Sequence, residues 1–279
     1  ISFIKKNKTN ILISTGGYMT FPFCLAAFIL KKKVFLFEPN SVLGRSNQFA
    51  LKFSTKIICY DKHVKNFPVK YNSKKIIVEP ILKKEIYDLK KNSINLEKKI
   101  KKILIIGGSQ GASFFDSNIT NLIIEISKKH ELEVTQQISN NNNLLSIKSK
   151  YDNSNINYKF IEFTNDSYEL YNGIDLAITR GGASTLSELS FLNIPFVSIP
   201  LPSAKDNHQF YNSEYYYKKN CCWLINQSKF ETDKFIKMIF EIFNNNQDYN
   251  EKIKNLEKIT KKNTWNNINN NIIEIIDEN

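Results

Sequence analysis

Glycine is scarce in this 279-residue chain, and its placement is the strongest constraint on the fold. There are nine glycines, about 3% of the residues against a usual level of roughly 7%. Seven of the nine fall in three short loops: Gly16-Gly17, Gly107-Gly108 with Gly111, and Gly181-Gly182. A chain that concentrates glycine in this way needs left-handed backbone or close ligand approach at those places. Each loop follows a short β-prone run: Ile11–Ser14, Ile103–Ile106 and Leu176–Thr179. Similar runs at Val34–Phe37, Ile57–Tyr60, Lys75–Val78, Glu133–Gln137, Tyr158–Ile161 and Phe196–Ile199 alternate with helical segments, among them Ala112–Lys129. Continuous apolar strands alternating with helices predict an α/β protein whose parallel sheets are covered on both faces.

The polar, lysine-rich stretch Lys90–Lys102 reads as a linker, so two Rossmann-like domains are expected, 1–97 and 98–279. The first opens abruptly at Ile1, carries four expected strands and reads as incomplete; the second reads as complete. The tail from Lys229 is helical, with Trp265 as its expected packing anchor and its last helix expected back on the first domain.

Composition narrows the function. The longest apolar run, Phe21–Leu30, contains Pro22 and falls far short of the roughly 20 residues of a membrane span. No secretory signal opens the chain. The four cysteines have neither disulfide-framework nor metal-ligand spacing and read as neutral thiols. His63, His130 and His208 share no metal-binding spacing, and no HExxH or DxD stands out, so no metal and no cofactor is expected. The net charge of +12 favours anionic partners. Lysine is abundant along the whole chain, and no basic motif interleaved with aromatics of the RNA-binding kind occurs, so nucleic acid is not an expected partner.

Three constellations carry chemistry. In Ile103-Leu-Ile-Ile-Gly-Gly-Ser-Gln-Gly-Ala112 a strand runs into a glycine turn that opens a helix, where free N–H groups and the helix dipole suit phosphate. Ser109 adds a hydroxyl; a tight turn without ligand is the alternative. In Thr179-Arg-Gly-Gly-Ala-Ser-Thr-Leu-Ser-Glu188, loop N–H groups and Thr185 suit a diphosphate, and Glu188 can accept from two vicinal ribose hydroxyls. Thr185-x-x-Glu188 is equally a capping box. In Pro202-Ser-Ala-Lys-Asp-Asn-His-Gln209, Gln209 suits sugar hydroxyls at the carboxyl end of a strand; a helix start capped by Asp206 is the alternative.

In their order along the chain these motifs resemble the MurG family of UDP-N-acetylglucosamine transferases. The resemblance rests on Gly16-Gly17-Tyr18, Glu38-Pro-Asn40 with Gly44, and Gly107 to Ala112. It continues through Glu162-Phe163, Arg180 to Glu188, and Lys205-Asp206 with Gln209 and Asn212. It implies a GT-B fold, two Rossmann-like domains facing across a cleft, and an inverting, metal-free transfer of N-acetylglucosamine (GlcNAc) from UDP-GlcNAc. The acceptor implied is undecaprenyl-pyrophosphoryl-N-acetylmuramoyl-pentapeptide, at the cytoplasmic face of the bacterial inner membrane. Ser109 and the segment Ala183, Ser184, Thr185, Leu186, Ser187 and Glu188 would hold diphosphate and ribose. Gln209 and Asn40 would reach the sugar, the backbone of Thr164 the uracil, and Gly16-Gly17 the acceptor diphosphate.

Two departures qualify the resemblance. The family's first glycine loop with its adjacent histidine, the candidate base, has no match and is expected upstream of Ile1, so slow or no turnover is expected from residues 1–279 alone. Where the family has Asn-Pro-x-Arg, this chain has Glu79-Pro-Ile-Leu82-Lys83, in which Lys83 lacks the planar fork of arginine. The run Phe21–Leu30 followed by Lys31-Lys32-Lys33 suits either a core helix or a surface for anionic lipid, and both hold if one face is exposed. Rival readings are a GT-B enzyme with another lipid acceptor, such as diacylglycerol, a catalytically dead nucleotide-sugar-binding module, and a nucleic-acid-binding protein.

Overall fold

The structure, a computed structural model, describes residues 1–90, 100–108, 113–138, 141–161 and 168–278, with only the backbone of 141–143. The chain forms two compact units. The first is Ile1–Ile81 with Lys205–Asn212 and Lys262–Asn279; the second is Leu82–Ala204 with Ser213–Lys261. The division at Ile81/Leu82 precedes the lysine-rich stretch, and two later segments return to the first unit.

In the first unit, β1 (Ile11–Ser14), β2 (Lys33–Glu38), β3 (Lys56–Cys59) and β4 (Lys75–Ile77) form a parallel sheet in chain order. Val34, Phe35 and Leu36 of β2 are all inaccessible to solvent, which is why that strand is a continuous apolar run. The helices are α1 (Ser2–Lys6), α2 (Thr20–Ile29) and α3 (Arg45–Ala50). Pro22 is tolerated in α2 because first-turn N–H groups have no intrahelical acceptor. Cys24, Ala26 and Ala27 turn into the core, while Phe21, Phe28 and Ile29 stay exposed. Burial pushes the thiols of Cys24 and Cys59 up, to about 11 and about 12, so both are neutral.

The second unit contains α4 (Lys84–Leu89), β5 (Lys102–Ile106), α5 (Thr120–Ser127), β6 (Glu133–Gln137), α6 (Asn141–Asp152) and β7 (Asn157–Ile161). There follow β8 (Leu176–Thr179), α7 (Ala183–Phe191), β9 (Phe196–Ser198), α8 (His208–Tyr217, its first residues in the first unit), β10 (Cys222–Leu224), α9 (Thr232–Asn244) and α10 (Asn246–Thr260). The final helix, α11 (Trp265–Glu278), lies in the first unit. The sheet is parallel, in the order β10-β9-β8-β5-β6-β7. Read from β7, that is the doubly wound order 3-2-1-4-5-6, with its switch point between β5 and β8. Ile103 and Ile105 face one core cluster with Ile123 and Ile239, whereas Leu104 faces another with Leu186, Leu189 and Tyr171.

Three expectations change. Ala112 lies outside the described residues, and the rest of the expected helix to Lys129 is not regular: Phe115–Ile119 is a π-helical turn that buries Asp116, and α5 ends at Ser127. Cys222–Leu224 is a strand, paired with β9, that the sequence reading missed. Trp265 is 40% exposed, so Ile268, at 3%, is the buried residue of α11. Asn263 precedes that helix and donates to the carbonyl of Pro80 at 2.9 Å.

Candidate functional site

In the second unit, the two strands that end in glycine-rich sequence lie side by side at the switch point. Ile106 and Thr179 are register partners at the ends of β5 and β8, and the amide of Arg180 donates to the carbonyl of Ile106 at 3.3 Å. The loops after the two strands therefore emerge side by side at the carboxyl edge, where doubly wound sheets bind ligands. Gly108 takes a left-handed conformation, φ +67°, and its amide donates to Oε1 of Gln137 at 2.9 Å. Ser109 and Thr164 lie outside the described residues.

Arg180 is 4% exposed and braces the loop from beneath. Its guanidinium donates to the carbonyl of Ile199 at 2.9 Å and to Gln227, and it stacks 4.8 Å from the ring of Phe115. Burial pushes its pKa down to about 10, still cationic at neutral pH.

Helix α7 has Gly182 as N-cap, with no side chain capping it. That start excludes the capping box at Thr185 and Glu188. They stand at the third and sixth helical positions, so they form no capping box, and the first-turn amides keep their positive end open. Ser184 is exposed and Ala183, Thr185 and Glu188 are half-buried. Leu186 and Ser187 point inward: Leu186 is fully buried in the core, and its amide already donates to the carbonyl of Gly182 at 3.0 Å. The Glu188 carboxylate accepts the Tyr171 hydroxyl at 2.6 Å. Burial raises its pKa, opposed by that hydrogen bond and by the charge of Lys83.

In the first unit a cavity of about 320 Å³ is lined by Gly16, Gly17, Glu38, Asn40, Gly44, Arg45, Asn47, Lys205, Asp206 and His208, among others. Gly16 and Gly17 have φ of +101° and +92°, conformations that side chains with a Cβ rarely adopt. Glu38, missed by the sequence reading as more than part of a motif, organises the wall. It is 2% exposed. Its Oε1 accepts from the backbone and side-chain amides of Asn40 at 3.2 and 2.9 Å. Its Oε2 accepts from the Gly44 amide at 2.7 Å and from Nδ2 of Asn47 at 3.0 Å.

Asn40 is fixed from the other side by Asn212, whose Nδ2 donates to Asn40 Oδ1 at 3.1 Å while its Oδ1 accepts the Ser41 amide at 2.8 Å. Gln209 stands one turn before Asn212 on α8, on the same face, and is half-buried. Asp206 is not a helix cap: at φ +53° it forms a fork-to-fork pair with Arg45, N···O 2.7 Å. The pair holds its carboxyl below the usual range. His208 Nδ1 donates to the carbonyl of Lys205 at 2.8 Å, which in the neutral ring leaves Nε2 as an acceptor.

A Cβ on Gly44 stands 3.0 Å from Oε2 of Glu38, a group already held by its donors. Gly44→Ala is therefore expected to lose about 1–3 kcal/mol in chemical denaturation. In a Glu38→Ala background the loss should largely vanish; an equal loss in both backgrounds would assign it to the backbone instead.

Among the described residues no cluster of three His, Cys, Asp or Glu side chains could hold a metal ion. Nor is any helix long and apolar enough to cross a membrane.

Residues 102–268 match the family model described as glycosyltransferase family 28 C-terminal domain. The UDP-N-acetylglucosamine--N-acetylmuramyl-(pentapeptide) pyrophosphoryl-undecaprenol N-acetylglucosamine transferase of Pelagibacter ubique is 45% identical, over 100% of this chain and 78% of that protein. The transferase of the same name from Rickettsia bellii is 35% identical over 90% of this chain and 72% of that one. Among solved structures, Acinetobacter baumannii MurG superposes with a TM-score of 0.77 at 22% identity, covering 100% of this chain and 77% of its own. A UDP-GlcNAc 2-epimerase from Neisseria meningitidis gives 0.69 at 16% identity over 100% and 78%. At those identities the structures speak for the fold alone.

Proposed function

The chain belongs to the MurG family of UDP-GlcNAc-dependent transferases, with the GT-B fold expected from its sequence, and from that premise we propose how its residues divide the work. The reaction moves GlcNAc from UDP-GlcNAc to the lipid-linked N-acetylmuramoyl-pentapeptide, converting lipid I to lipid II in peptidoglycan synthesis. The observation that carries the assignment is the pairing of β5 and β8, the strands that lead into two glycine loops, beside an uncapped helix start and Glu188.

The donor diphosphate meets the first-turn amides of α7, from Ala183, Ser184 and Thr185. Glu188 accepts from the ribose hydroxyls. As the bond from the sugar carbon to the leaving oxygen breaks, negative charge grows on UDP, and the positive end of α7 stabilises it without reorganising. Leu186 and Ser187 serve by packing that helix. In the first unit, Asn40 and Gln209 take sugar hydroxyls, and Gly16-Gly17 with neighbouring Arg45 and Lys205 take the acceptor diphosphate. The oxygen of the muramoyl 4-hydroxyl bonds to the sugar carbon with inversion, UDP leaves with the pair of the broken bond, and the hydroxyl proton passes to a base or to solvent. The test is transfer of labelled GlcNAc to a short-chain muramoyl-pentapeptide pyrophosphoryl lipid, with EDTA present and diacylglycerol as rival acceptor. Transfer to diacylglycerol alone would replace the acceptor assignment.

The chain works as a peripheral protein at the cytoplasmic face of the inner membrane, with anionic lipid rather than nucleic acid as its extended partner. Support comes from α2, whose exposed Phe21 and Phe28 pack edge-on or tilted against Phe53. Exposed Lys31 and Lys33 follow α2 in sequence, and exposed Lys52 lies over the Phe53 ring. Near an anionic surface each lysine contributes about 1 kcal/mol. Lys31→Gln with Lys33→Gln should therefore weaken binding to vesicles rich in phosphatidylglycerol by about 30-fold. Binding to zwitterionic vesicles should not change; equal loss on both would remove the electrostatic part.

A further inference from the structure

We infer that Tyr171 is a positioning residue for nucleotide binding, its hydroxyl holding Glu188 in the one arrangement that presents a free carboxylate oxygen to a vicinal diol. The inference deepens the ribose reading of Glu188 and rests on it. Tyr171 closes the short helical turn Tyr168–Tyr171 ahead of β8 and is 4% exposed. Its ring packs in the cluster of Leu104, Leu186 and Leu189, under the helix that carries Glu188. The ring is thus placed by the core, and its hydroxyl is delivered to Oε2 of Glu188 at 2.6 Å. A carboxylate offers about four acceptor positions on two oxygens. Tyr171 uses Oε2 and leaves Oε1 for the ligand.

A glutamate gives up more rotamer freedom than most side chains when a ligand fixes it. A carboxylate already fixed by a core-anchored phenol has met that cost during folding, so the ligand does not bear it on binding. Burial disfavours the charge of Glu188, and the Tyr171 hydroxyl and the nearby Lys83 offset part of that. The sequence carries no signal for this role, because Tyr171 sits 17 residues before Glu188 in a segment that reads as ordinary core.

The test compares UDP with 2′,3′-dideoxy-UDP on wild-type protein and on Tyr171→Phe, which keeps the ring and removes only the hydroxyl. Wild type should prefer UDP by tenfold or more, on the order of one charge-assisted hydrogen bond. Tyr171→Phe should bind UDP about fivefold more weakly and dideoxy-UDP unchanged, which also shows that the variant's site is folded. In turnover, KM for UDP-GlcNAc should rise by the same factor while kcat holds. Equal weakening toward both nucleotides, or none toward UDP, overturns the inference and leaves the ribose reading intact. A wild-type protein that binds both nucleotides alike overturns the ribose reading itself, and this inference with it.

Discussion

Glu38→Ala is expected to give the largest stability loss of any single substitution around the first-unit cavity, about 3–5 kcal/mol in chemical denaturation. The side chain is 2% exposed and receives four N–H groups, two on each carboxylate oxygen. Truncation leaves the Gly44 amide and the Asn47 side-chain donor buried beside an empty space, and frees Asn40 from the face that aims it. Unsatisfied buried donors, rather than lost attraction, dominate the loss. Glu38→Gln separates the terms: it keeps the volume and one acceptor but turns an N–H₂ toward two N–H donors. Its loss should be about half that of the alanine variant, with a matching rise in KM for UDP-GlcNAc through the misplaced Asn40. A Glu38→Ala protein within about 1 kcal/mol of wild type would mean that solvent replaces the carboxylate, and the wall would not be organised by it.

Most of the sheet framework was legible from the sequence because the strands are buried on both faces. Val34 to Leu36, Ile103 to Ile105 and Leu176 to Ile178 are apolar without alternation, and only a covered parallel sheet needs that. Cys222–Leu224 escaped because three residues without β-branching carry no period, and its pairing with β9 is a tertiary fact. The π-helical turn at Phe115–Ile119 escaped because its pattern is helical on either reading; what sets it apart is the burial of Asp116.

Local sequence could not separate a diphosphate-binding helix start from a capping box at Thr185 and Glu188. The answer depends on where α7 begins, and boundaries are the weakest part of any pattern argument. As motif letters, Glu38 and Asn212 carry no role. In the structure both hold Asn40, and Asn212, 172 residues away, also accepts the Ser41 amide. Asp206 reads as a helix cap until Arg45, far away in sequence, is seen to take its carboxylate.

Glu188→Gln is expected to weaken UDP binding by about 1–3 kcal/mol, roughly 5- to 150-fold, with little change in melting temperature. A carboxylate can accept from both ribose hydroxyls at once, whereas the amide offers one acceptor and faces the diol with a donor. Stability should barely move, because α7 begins at Ala183 with Gly182 as its cap, and among the described residues no backbone N–H donates to the Glu188 side chain. Burial has already raised the pKa of this carboxyl, so removing its charge relieves a desolvation penalty even as the Tyr171 hydrogen bond weakens.

The same shift fixes a pH signature. With the free-protein pKa above that of an ordinary glutamate, acidification protonates Glu188 sooner, and the ribose contribution is lost as pH falls through that raised value. The phosphates of UDP titrate in every sample, so the informative quantity is the affinity difference between wild type and Glu188→Gln. It should be full at neutral pH and shrink toward zero on the acid side. Calorimetric titrations at several pH values read it directly. A difference that is constant with pH, or a variant that melts lower yet binds UDP as well as wild type, would return Glu188 to a purely structural role.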